Sequence, residues 1–357
     1  HRASRCAVAA TLALGFGAVA GLAMGVRAGG ILLLGFLAVI AAVRAARGDR
    51  GAPLRAAAAA ATAWLVMLAC WPQAQHDPFR WPVEVVVNFV GHFDHTPTVI
   101  FLGHIIRTDE LPPDYIPRYL AFTLPELLVL LLPLAAWQGL RRPGAGFLLV
   151  AAAALVPAAA AMGLRTMLFN GIRHLMFIIP PLAALAGVAA ARGLAALGPR
   201  ARRIALGCAV AWGAWHLSVM VRLHPLETVY YNAFTGGLRG AYMNYDMDYW
   251  GNAYPEVIAR LREYLTGRGE ALPGRTWRVA PCGAPRALAA EVPREFVWVK
   301  EARQADFLLG LVGMGCEGMD RGVTALRVSR FGVPLAWVQD LRGTIPPRGP
   351  SRPNPRT

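Results

Sequence analysis

Residues 145–163 read AGFLLVAAAALVPAAAAMG and carry no charged side chain. The hydrocarbon core of a bilayer takes about 20 helical residues to cross, and a run of this length and character fits it. Working outward, comparable runs follow at 172–194 and 202–222 and precede it at 119–138, 55–72, 28–46 and 7–26, giving seven candidate spans. Ala and Leu dominate these runs, with the scattered Gly and Pro that membrane helices tolerate. The expected fold is a polytopic α-helical membrane protein.

Composition points the same way. Of 357 residues, 56% are hydrophobic and only 16% charged, against about 25% charged in a typical soluble domain. The apolar runs stop at residue 223, so the deficit is local; a very large soluble helical core is the disfavoured competing reading. The formal net charge is +15, nearly all arginine, since Lys300 is the only lysine. In a soluble chain such a balance would suggest nucleic acid. Here the arginines cluster in short loops between apolar runs, so they mark topology and contact with anionic head groups, and no nucleic-acid partner is expected.

Three loops carry the charge: Arg44, Arg47, Arg50 and Arg55; Arg141 and Arg142; and Arg192, Arg200, Arg202 and Arg203. The positive-inside rule makes them cytoplasmic. The remaining loops and everything after residue 223 then face the periplasm or exterior, in a multi-pass protein of the cell inner (plasma) membrane. The chain opens His1-Arg2-Ala3 with a spanning run almost at once, and it reads as a fragment lacking its N-terminal part.

The outer segment 73–118 is too long for a simple turn. Its stretch Val83–Val90 predicts a helix in the membrane interface. It also carries His92, Asp94, His95, His104, Asp109, Glu110, Asp114 and Arg118. His92 and His95 can share a helical face, but no further metal-ligand spacing accompanies them. Asp94, Asp109 and Glu110 are candidate general bases for an acceptor hydroxyl, although solvated loop carboxylates are commoner.

A second outer segment, Leu164–His174, places Arg173 and His174 at the start of a span. A charge at hydrocarbon depth is costly unless paired, snorkelled or wet, which makes these residues functional suspects. Guanidinium forks match phosphate, and a helix N-terminus favours an anion. The functional reading is a lipid-phosphate site with Arg118 as second cation; the alternative is an interface anchor that snorkels into water. Asp246-Met247-Asp248-Tyr249-Trp250-Gly251 contains a DxD, for which a structural turn or cavity-rim cap is favoured over a divalent cation. No other cofactor is read from the chain.

From 224 to 342 the pattern changes. Tyr254–Leu265 has helical periodicity, and Trp277–Ala280, Phe296–Val299 and Phe307–Val312 read as strands. Ala325–Val328 and Leu335–Val338 read as a hairpin, so this part is expected to be a small soluble α/β domain. Residues 343–357 are rich in Pro and Arg and are expected to be disordered. Of five cysteines, Cys6, Cys70 and Cys208 lie in apolar runs. Cys282 and Cys316 fall in the outer domain, where a disulfide is permitted but not dictated.

Several motifs resemble bacterial family-39-like membrane glycosyltransferases, relatives of the dolichyl-phosphate-mannose-protein mannosyltransferases. Gly171-Ile172-Arg173-His174-Leu175 through Leu182 is similar to their helix start. His224-Pro225 through Tyr230-Tyr231-Asn232, then Gly236-Gly237, resembles their HPxxxxYxN…GG segment. Asp248-Tyr249-Trp250-Gly251 looks like their DWG element, with Asn252 departing from the usual DWGQD. Leu111–Pro117 with Thr123-Leu124-Pro125 resembles their LPxxYxP…TxP loop. The resemblance covers about 75–260 and implies a GT-C fold with its active site at the outer face. It implies transfer of a sugar from a polyprenyl-phosphate donor to a lipid, glycan or protein acceptor, with inversion. The principal catalytic Asp of that family lies in a first outer loop with no counterpart here. Competing readings are a transporter or flippase for an anionic lipid or glycan, and a non-catalytic membrane subunit; a transporter should show internal repeats and broken helices meeting at mid-membrane, and the sequence shows neither.

Overall fold

The computed structural model describes residues 2–26, 28–91, 96–283, 293–316 and 322–343. His92, Asp94 and His95 lie outside the described residues, as do 344–357. The chain forms two compact units, one of residues 1–96 with 151–167 and one of 97–150 with 168–357.

The first unit contains α1 (Arg2–Val26), α2 (Leu32–Ala46), α3 (Ala52–Cys70), α4 (Pro72–His76) and α5 (Arg80–Gly91). Without a hydrophobic drive between helices in lipid, small residues bring backbones together. Gly17 and Gly21 do so here: a Cβ on either would stand 2.3 Å from the Ala59 carbonyl oxygen or 2.4 Å from that of Ala63. Ala59 and Ala63 are completely buried in the contact. The helix expected around Val83–Val90 is present as α5.

The second unit begins with a hairpin of β1 (Thr98–Phe101) and β2 (His104–Arg107), followed by α6 (Tyr115–Thr123) and α7 (Glu126–Arg141). The first residues of α8 (Ala145–Gly163), then α9 (Ile179–Ala196) and α10 (Pro199–Leu223), complete its helices of membrane length. Six helices among the described residues are long and apolar enough to cross a bilayer. The expected seventh, over 119–138, is broken. Leu124 is extended (ψ 149°) before Pro125, leaving α7 with 16 residues. The residue before a proline avoids the helical region, and 16 residues rise only about 24 Å, short of the core.

Past α10 come the short α11 (Gly237–Ala241) and α12 (Tyr254–Gly267), then a five-stranded sheet. Its strands are β3 (Trp277–Cys282), β4 (Phe296–Trp298), β5 (Phe307–Leu311), β6 (Val323–Arg330) and β7 (Val333–Asp340), in the order β4-β3-β5-β7-β6. β3 pairs in parallel with β4 and β5, whereas β7 runs antiparallel to β5 and β6. Every residue of β5 is buried, as a strand covered on both faces requires. Val257, Leu261 and Leu265 of α12, spaced by four, enter the same core as Phe307, Leu309 and Val338. The hairpin turns at Phe331-Gly332, both at positive φ. Cys282 and Cys316 are bridged, with Cα atoms 5.7 Å apart, tying the end of β3 to the loop after β5. Arg330 fastens the hairpin to α10, donating to the Leu223 and His224 carbonyls (3.3 and 3.2 Å) and to Glu256 at 2.6 Å.

Candidate functional site

The chain turns sharply ahead of α9. It does so through Asn170 (φ 59°) and Gly171 (φ 67°), left-handed positions that Asn tolerates and Gly prefers. A side chain at Gly171 would also meet the Tyr119 ring at 3.2 Å. Two tight 3-10 turns over Arg173–Ile178 then lead into α9, whose first turn carries Pro180 and Pro181. Arg173 therefore stands at the head of the apolar run Arg173–Ala196.

Aromatic rings surround its guanidinium. The Arg173 Cζ lies 4.4 Å from the Phe169 ring centre, 5.1 Å from Trp250 and 5.8 Å from Tyr249. His174 packs edge-on against Phe169 at 4.8 Å and accepts from Arg173 Nε at 3.3 Å. Rings occupy guanidinium faces, while its donors lie in its plane. Trp250 remains 57% exposed, so the group reaches the surface.

Asp246 lies beside this group in a tyrosine cluster. Its Oδ1 accepts the Ile100 amide at 2.9 Å, and its carbonyl accepts the Tyr231 hydroxyl at 2.7 Å. Tyr231 and Tyr245 stack at 5.6 Å, Tyr119 meets Tyr245 at 5.5 Å, and Phe101 and Tyr115 close the cluster at 5.1 Å. Burial pushes the Asp246 carboxyl up to about 6, although the Ile100 and Asn170 amides favour the charged form. Tyr249 lies near both Arg173 and Asp246, and burial above all raises its hydroxyl while Arg173 lowers it.

Asp248 serves another purpose. Its oxygens accept the Asn252 and Ala253 amides, both at 2.8 Å, and it is 1% exposed where α12 begins. Both carboxylates of the DxD thus serve backbone amides. Among the described residues, no group of three His, Cys, Asp or Glu side chains is arranged to hold a metal. Arg118 is bound by Asp114 (2.9 Å from Nε) and lies near Tyr245 of the tyrosine cluster. Asp109 is paired with Arg107 at 2.8 Å and held below the usual carboxylate range by that hydrogen bond, while Glu110 is exposed in the same turn.

The other resembling segments meet in a hydrogen-bonded joint. Asn232, 1% exposed, donates from Nδ2 to the Ala121 and Leu124 carbonyls at 2.6 and 2.8 Å, closing the break between α6 and α7. Its amide binds the Phe122 carbonyl, and its Oδ1 accepts from Phe234. Glu126, in the first turn of α7, accepts the Ala233 amide at 2.8 Å and the Tyr230 hydroxyl at 3.4 Å. Glu126 escapes a sequence reading because it sits inside an apolar run. An acid directly after Thr-x-Pro at a helix start is the signal that could have found it. Phe169 and the tyrosines gave no such signal, because ring packing across elements has no local spacing.

No protein-family model matches the chain, and comparisons with curated proteins and with solved structures give no significant match.

Proposed function

We propose that this membrane-embedded chain belongs to a glycosyltransferase that uses a polyprenyl-phosphate-linked sugar and passes it to a lipid, glycan or protein acceptor. The observation that carries the reading is the Arg173 group: a cation at the head of an apolar helix, faced by three rings and followed by a buried acid. A lipid phosphate has its tail in the bilayer and its charge at the surface, and this placement suits it. In the proposed reaction the acceptor oxygen bonds to the anomeric carbon as the bond from that carbon to the phosphate oxygen breaks. The phosphate leaves with the electron pair, steadied by Arg173, and a carboxylate takes the acceptor proton. Burial raises the proton affinity of both Asp246 and Asp248, and Asp246, next to the Arg173 group, is the one that suits such a base near neutral pH. The GT-C fold, the outward-facing active site and the inner-membrane location belong to the same proposal, resting on the motif resemblance and the arginine loops.

Arg173→Ala should lower kcat/KM for the polyprenyl donor about 10- to 150-fold, the equivalent of one charge-assisted contact. Arg173→Lys should recover part of this, because ammonium lacks the planar fork. Wild-type kcat/KM in a folded Arg173→Ala protein would refute the proposal.

A further inference from the structure

At the N-terminal ends of the parallel strands β3 and β4, a cleft of about 530 Å3 opens against the last turns of α12. Its charged lining is Arg262, Arg275, Arg294 and Glu295, with Thr266 and Thr276 beside them. Three arginines against one glutamate leave two positive charges over. The three are not equivalent, since Arg262 is already bound to Glu295.

Trp277 shows what sets Arg275 apart. Two guanidiniums lie on its ring, Arg342 at 4.9 Å and Arg275 at 3.9 Å. Arg342 is neutralised by Glu270 and Asp340. Among the described residues, neither Arg275 nor Arg294 pairs with a carboxylate. Stacking fixes the plane of Arg275 and leaves its in-plane donors for another acceptor. Trp277 and Phe296 are each 4% exposed, so the cleft has little aromatic face for a nucleobase. Its size suits one or two sugar rings, and Thr266 and Thr276 place hydroxyls in a lining that is otherwise largely apolar between the arginines.

We infer that this cleft binds a phosphate monoester carried on a sugar, with Arg275 and Arg294 on the phosphate and threonine hydroxyls near the ring. The inference does not depend on the proposed transfer reaction.

The test is calorimetric titration of the full chain in lipid nanodiscs with glucose 6-phosphate, inorganic phosphate and glucose. An Arg173→Ala background removes any phosphate uptake at the helix head. Glucose 6-phosphate should bind more tightly than inorganic phosphate, and glucose should not register. Arg275→Ala and Arg294→Ala should each weaken binding roughly tenfold. Arg303→Ala, a surface arginine paired with Glu301 elsewhere in the domain, should leave it unchanged. Should Arg275→Ala lose its melting transition, the exposed Arg294 carries the test. The inference is overturned by equal affinity for inorganic phosphate and the sugar ester, by wild-type affinity in folded Arg294→Ala, or by a comparable loss in Arg303→Ala.

Discussion

The joint around Asn232 and the group around Arg173 both come from segments with the same family resemblance, yet they are built differently. At the joint, every polar atom of the Asn232 side chain is engaged with backbone, and the residue is sealed from solvent. Around Arg173 three rings lie near the guanidinium, and Trp250 is open to solvent. The first arrangement holds two broken helices together, while the second presents a cation and its rings to the surface. A motif resemblance alone does not separate these roles; the hydrogen-bond partners do.

The sharpest way to break this contrast is Asn232→Ala. It strands two carbonyls and one amide in a buried place, for a loss of roughly 3–5 kcal/mol of stability. Thermal unfolding in micelles should show a large drop in midpoint, and a midpoint near wild type would mean the joint is not structural. Asp246→Asn comes next and tests the boundary between the two regions. Because the folded carboxyl is raised from 3.8 to about 6, the native state binds the proton more tightly than the unfolded chain. Its ionisation therefore costs stability progressively as pH rises from about 4 to 6, approaching roughly 2–3 kcal/mol above that. Melting points of wild type should fall across this window relative to Asp246→Asn, whose amide oxygen can still accept from Ile100. Parallel curves would show that Asp246 is not buried as described. The smallest effect is Trp250→Ala. An exposed cation–π contact contributes about 0.5–1 kcal/mol, so donor KM should rise about two- to fivefold with the melting point unchanged. A lowered melting point would move Trp250 to the structural side of the contrast.

Much of the fold was legible because its signals are local. Six apolar runs, the period of α12 and the strands around the Phe331-Gly332 turn all announce themselves within a few residues. The interrupted span over 119–138 did not: its apolar side chains run on through a Pro125 break whose carbonyls are capped by a residue more than a hundred positions away. Arg173 and His174 stood out because a charge close to hydrocarbon needs pairing, snorkelling or water. The Cys282–Cys316 bridge remained open in the sequence, since pairing depends on where two loops meet. For Asp248 the sequence favours a structural turn or cap over half of a metal motif, and its two amide partners show it holding the turn that leads into α12.

The Arg330 clamp has a mechanical consequence. Since the hairpin grips the last carbonyls of α10, the sheet domain does not hang from the membrane on a slack tether. Helix and domain behave as a handle and blade. A 25-residue helix is a lever of about 37 Å, so a change in its tilt swings the whole sheet through the same angle. A change in bilayer thickness that altered the tilt of α10 would thereby change where that sheet points.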